Sequence, residues 1–308
     1  MTRNFALWVL AACLAGLSGC DLEDFGAARY SKDFHYTYPL QSGGKLSLET
    51  FNGGVDVTGW DQQMVEIDGT KYGPSPEAAD ALRIDISNSP TAIEIHVNRP
   101  SEFRGNRGAR FSVKLPRKAI LERVASSNGP IVVQGATGPT SLHTSNGPIR
   151  VENVDDAVDA HTSNGAIELT DVTGEAMVNT SNGRIRVDNL RGSLDAHTSN
   201  GGITANLAGH PAHSIRLETS NGPLDLTLPT GLDHGVRAGT SNAPITVRLP
   251  EGINAQVQAR TNNSSITSEF EMKMQGEVNK NHLDAVIGSG GPLLDLSTSN
   301  GPIRLRRF

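Results

Sequence analysis

Three histidines recur in one phase of this chain: His143, His161 and His197 each stand three residues before the asparagine of a Ser-Asn-Gly triplet, and Asn179 holds that phase in the repeat between them. If the triplets stack, His143 and His161 come within one strand spacing, ~4.8 Å. That is close enough to share a metal ion, or to repel when both are protonated. Glu218 and Arg260 occupy the same phase later in the chain, so it reads as an outward, solvated position, and no metal or cofactor is assigned. A second set of acids, Asp155, Asp156 and Asp159, with Asp171, Asp188 and Asp195 as neighbours, offers what glycan-cleaving β-helix enzymes need. Those enzymes use paired carboxylates, or acidic metal ligands beside a basic proton acceptor. Between Ala119 and Thr267 there is no lysine to serve as that base, although Arg150, Arg184, Arg186 and Arg191 are present. The same stretch has no aromatic residue, where carbohydrate grooves carry stacking platforms. The acids are therefore read as solvating corner residues, and no catalytic residue is assigned.

The elements that would position these groups are set by a repeat. Thr-Ser-Asn occurs seven times, and the turn asparagine returns every 18 residues at Asn128, Asn146, Asn164, Asn182 and Asn200, then every 21 at Asn221, Asn242 and Asn263. A final copy stands at Asn300. A fixed period of this length signals a stacked repeat architecture. Apolar residues fall six and four places before each asparagine, as in Val158 and Ala160, and three and five places after it, as in Ile167 and Leu169. Each coil is thus two short strands joined at a Ser-Asn-Gly turn.

Asn-Gly between alternating strands is also the strongest short-range hairpin signal. The prolines decide against a hairpin: Pro130, Pro148, Pro223 and Pro302 directly follow the turn glycine, where a two-residue hairpin needs a backbone N–H. The fold class expected is all-β, a single-stranded β-solenoid (β-helix) with 18- to 21-residue coils, right-handed by the general crossover preference. Stacked asparagines should bond amide to amide along the column, and the threonines two places earlier should form a second ladder. Arg150, Glu168 and Arg186 should form an alternating-charge ladder on the outside, each exposed pair contributing well under about 1 kcal/mol.

Before the repeat, Arg3 and the apolar run from Phe5 to Leu17 read as a secretory signal. It ends in Leu17-Ser18-Gly19-Cys20, which resembles the bacterial lipobox and makes Cys20 the expected lipidation site. With Cys13 lost alongside the signal, Cys20 is the only cysteine left, so no intramolecular disulfide is available. Loss of Arg3 takes the formal net charge from -6 to -7, a balance that excludes nucleic acid as a partner. Five segments follow: 1–19 the signal peptide; 20–39 a lipidated N-terminus and tether; 40–110 an irregular N-terminal β section; 111–267 the regular solenoid; 268–308 an insertion and a C-terminal capping coil.

Gly43-Gly44-Lys45-Leu46-Ser47-Leu48-Glu49 leading to Asn52-Gly53 and Gly59-Trp60-Asp61, the Thr-Ser-Asn-Gly-Pro-Ile coils, and Ile287-Gly288-Ser289-Gly290-Gly291-Pro292 before the last coil together resemble the adhesin-like β-strand-repeat family of bacterial envelope proteins, a family of unknown function. The likeness covers residues 40 to 308. It implies an extracytoplasmic β-solenoid with no active site to carry over. The function expected is a membrane-anchored, non-catalytic scaffold or adhesin-like binding surface in the cell envelope, with an envelope protein or glycan as partner. The alternatives are a glycan-active lyase or hydrolase and a component that senses envelope stress.

Overall fold

The structure, a computed structural model, describes residues 30–99, 105–209, 214–228, 231–275 and 279–308. The signal segment and Cys20 lie outside the described residues. Two long sheets, of 13 and 14 strands, face each other across one continuous core. Through the regular coils the pairing is parallel and in register, with Ile149 beside Ile167 and Ile185 in the 13-strand sheet, and Ala160 beside Val178 and Ala196 in the other. The chain is a β-solenoid, as the prolines after the turn require. Apolar side chains stack like on like and are almost wholly buried, from Ile149 at 0% exposed to Leu169 at 1%.

At the turns the amides form an unbroken column. Beginning with the acceptor Asn52, each following asparagine donates Nδ2–H to the Oδ1 of the one before it, through Asn128, Asn146, Asn164, Asn182, Asn200, Asn221, Asn242, Asn300 and Asn263, at 2.5 to 2.8 Å. Nine steps at strand spacing make this column about 43 Å long. All the amide dipoles point the same way, the arrangement in which hydrogen bonds reinforce one another.

The threonines do something other than form a second ladder. Each is buried, and its hydroxyl joins two coils: Thr162 accepts from the Gly165 N–H of its own turn (3.2 Å) and donates to the Gly147 carbonyl of the preceding coil (3.1 Å). The glycines are needed for space, because a Cβ on Gly165 or Gly183 would stand 1.8 Å from the glycine carbonyl oxygen of the coil before it. Where Ala243 replaces the glycine, the Thr240 hydroxyl is shared between the carbonyls of Gly222 (3.2 Å) and Ser220 (3.4 Å).

Both ends depart from the expected layout. The tether assigned to residues 20–39 stops short, because Tyr30–Pro39 is a ten-residue strand antiparallel to Met64–Gly73. Its inward face is Phe34, Tyr36 and Tyr38, an alternation that carries the strand signal. Phe34 lies over the bare Gly69 and meets Phe111 edge-on at 5.5 Å. On the outer face Asp68 binds His35 at 2.7 Å, and that hydrogen bond lowers the Asp68 pKa.

The C-terminal coil does not cap the column as expected. Strands Leu293–Thr298 and Ile303–Arg307 insert between the coil of Asn242 and that of Asn263, pairing in parallel with both. The insertion after Ser268 instead supplies the end: His282–Ile287 runs antiparallel to Ala255–Thr261, and Met272–Met274 is the edge strand. The N-terminal end mirrors this, since the first coil, Lys45–Thr50 and Val55–Trp60, lies inside the later strands Ala92–Asn98 and Gly108–Pro116.

Two substitutions test this account of the corner. Gly183→Ala should lower stability by about 1–3 kcal/mol through overpacking, seen as an earlier thermal transition by circular dichroism. Thr162→Val, which leaves a buried N–H and a buried carbonyl without their partner, should cost a similar ~1–3 kcal/mol, whereas Thr162→Ser should remain near the parent.

Candidate functional site

The histidine phase lies on the outer face of the 14-strand sheet. Strand Thr140–Thr144 pairs with Val158–His161 so that His143 stands opposite His161 and Ser141 opposite Asp159. The two imidazoles stack with centroids 5.0 Å apart and planes 19° from parallel. Asp159 Oδ1 lies 2.6 Å from His161 Nε2 without hydrogen-bond alignment. The Nδ1 atom of His143 is buried and has no hydrogen-bond partner. One ligand atom from each of His143, Asp159 and His161 falls within 4.8 Å of the others. Burial lowers the His143 pKa below the usual imidazole value; His161 and Arg123 push the same way, and Asp159 opposes them. His197 does not join this group. Asn179 separates it from His161, and its Nδ1 lies 3.9 Å from the Glu218 carboxylate.

Beside Asp159 runs an open apolar groove of about 360 Å³, lined in part by Ile120, Leu121, Pro139, Val158 and Met177. Met177 is 43% exposed, although it is a large apolar side chain.

The acids expected to cluster are dispersed. Asp159 belongs to the histidine face. Asp156 accepts from the Ala157 N–H at 2.7 Å and so serves its own turn. Asp155 and Asp171 line a shallow depression of about 460 Å³ at the corner opposite the amide column, flanked by Arg117 and Arg191. Asp188 accepts from Arg186 at 2.5 Å and from Asn206 at 2.7 Å.

That corner holds a feature the sequence reading missed. Gly135, Asn153, Asp171 and Asn189 recur every 18 residues, and all four are left-handed, with φ of 68°, 55°, 54° and 59°. Glycine, asparagine and aspartate are the residues that tolerate this conformation. Asn189 donates to Asp171 across the coils, so the opposite corner carries a short polar ladder too. The signal was present in the residue types, seven places after each turn asparagine.

The expected charge ladder is half realised. Glu168 accepts from Arg150 and from Arg184, both at 2.8 Å, while Arg186 turns to Asp188 on its own strand. The hydrogen bond from Arg150 and then that from Arg184 lower the Glu168 pKa from its ordinary 4.5. Because the folded-state value is depressed, the pair's stabilisation is present in full above the ordinary value and fades as pH falls through the folded one. Arg150→Ala should raise the Glu168 pKa in a carboxyl-carbon NMR titration; an unmoved value would mean that the pair does not form in solution.

A family profile matches residues 49–306, from the end of strand Lys45–Thr50 to strand Ile303–Arg307. The chain belongs to the Toastrack DUF4097 family. No curated protein matches this Toastrack chain. Solved structures do. A Parabacteroides distasonis protein provisionally described as an adhesin shares 11% identity over 89% of this chain and 97% of its own, with a TM-score of 0.41. A second protein from that organism, provisionally described as lipid-binding, shares 9% over 90% and 96%, with a TM-score of 0.36. A Clostridium sporogenes protein provisionally described as serving cell adhesion shares 12% over 90% and 100%, with a TM-score of 0.24. At these scores the likeness says nothing of what the Toastrack chain binds.

Proposed function

We propose that this Toastrack chain is a lipoprotein of the bacterial envelope, anchored through Cys20, whose column is a non-catalytic scaffold that binds an envelope protein or glycan on its outer faces. The observation that carries this reading is the filling of the space between the sheets. The inward apolar rows meet there at 7% exposure or less from Val113 to Ala259, so a partner has to be met by the rows of side chains outside. The dispersal of Asp155, Asp156 and Asp159 over different surroundings supports the scaffold over the glycan-active enzyme, whose chemistry needs acids that converge. The Leu17-Ser18-Gly19-Cys20 sequence supports the anchor. Among the described residues no helix is long and apolar enough to cross a membrane.

Two measurements separate the parts of this proposal. Metabolic labelling with a palmitate analogue should mark the chain, and Cys20→Ala should abolish the label and move the protein from the membrane to the soluble fraction. Membrane retention of the unlabelled variant would overturn the anchor. For the scaffold, in-cell crosslinking together with a glycan array should return a reproducible envelope partner, whereas turnover of an acidic polysaccharide by the purified chain would sink the non-catalytic reading.

A further inference from the structure

We propose that His143, His161 and Asp159 form a binding site for a divalent transition-metal ion of the zinc type on the outer face of the 14-strand sheet. The row containing these histidines makes the case by contrast. His96 stands opposite Glu49, with Nδ1 3.6 Å from its carboxylate, and His197 stands opposite Glu218 at 3.9 Å. At both places an imidazole faces an acid of the next coil. Only His143 and His161 place imidazole against imidazole in this row among the described residues, at 5.0 Å. Two stacked imidazoles gain little from each other, but together they offer two nitrogen donors to a cation, with the Asp159 carboxylate beside them.

Two further observations concern the same side chains. The Nδ1 of His143 is buried and unpartnered, and the Asp159 oxygen turned toward His161 lacks an aligned hydrogen bond. A buried polar atom left without a partner is costly, and a metal ion held by these side chains would supply one. Three donors at zinc bond lengths of ~2.0–2.1 Å stand about 3.3 Å apart on a tetrahedron. The donor atoms here lie within 4.8 Å of one another on side chains at an open surface, so side-chain rotation closes the gap while the backbone ladder stays in place. The fourth position would face solvent and hold water. Two imidazoles and one carboxylate favour zinc, copper or nickel over magnesium or calcium, which prefer oxygen donors. The nearby positive charge of Arg123 is already held by Glu49 at 2.6 Å.

The test is isothermal titration of zinc chloride into the full chain, purified in detergent and stripped with chelator. One zinc should bind per chain, at least tenfold more weakly after His143→Ala or His161→Ala and measurably more weakly after Asp159→Asn. His197→Ala should bind as the parent does. Unchanged circular dichroism would show each variant folded, and zinc should raise the melting temperature of the parent but not of the double variant His143→Ala with His161→Ala. Absence of binding by the parent, or equal binding by parent and double variant, would overturn the site. Neither result bears on the anchor or on the scaffold reading.

Discussion

Everything in this molecule depends on how closely one coil approaches the next at the Ser-Asn-Gly corner. The coils are one strand spacing apart, and at that distance the turn backbones nearly touch, so that a single added methyl on Gly183 would fall 1.8 Å from a carbonyl oxygen. The corner is held there by three kinds of bond acting together: asparagine amides in line outside, threonine hydroxyls inside, and the N–H groups of serine and asparagine converging on one carbonyl, as Ser163 and Asn164 do on Ser145 at 3.2 and 3.0 Å. Such spacing leaves no latitude. It is why the residue types at this corner repeat so strictly, while the strands between vary among Ala, Val, Ile and Leu.

The same constraint places the side chains that could act on other molecules. Because the coils stack in register, whatever stands at one phase becomes a row, and the properties of the surface are properties of rows. One row brings two histidines together; another sets Asp159 beside Met177. The column offers faces rather than a cleft, and its chemistry arises from neighbours that are far apart in sequence and one strand apart in space.

Most of the architecture was legible because period and proline placement are local properties. The parallel register, the two strands per coil, the amide column and the outward phase of the histidines all follow from counting from each asparagine. What the sequence does not carry is the spatial order of coils where it departs from chain order. Nothing in the motif around Asn300 distinguishes a coil at the end of the column from one inserted before the last, since the amide partner is an identical asparagine either way. Tyr30–Pro39 was missed for a different reason: Phe34, Tyr36 and Tyr38 alternate as a strand should, but the segment lies apart from the repeat and lacks its turn. The close approach of His143 to His161 followed from the period, whereas the unpartnered Nδ1 and the Asp159 contact emerge only from side-chain positions.

The tucking of both terminal coils inside the column has a consequence for how such a protein can grow. A solenoid whose ends are its first and last coils can lengthen by adding repeats at either terminus. Here the outermost strands are Tyr30–Pro39 and later stretches such as Arg83–Ser89, Ile266–Ser268 and Met272–Met274, so a new coil laid beside the first or the last one would find both neighbouring positions taken. Room for new repeats lies between the two clasps, by duplication within the gene, and it is there, from Asn128 to Asn200, that 18-residue units of equal length lie in tandem.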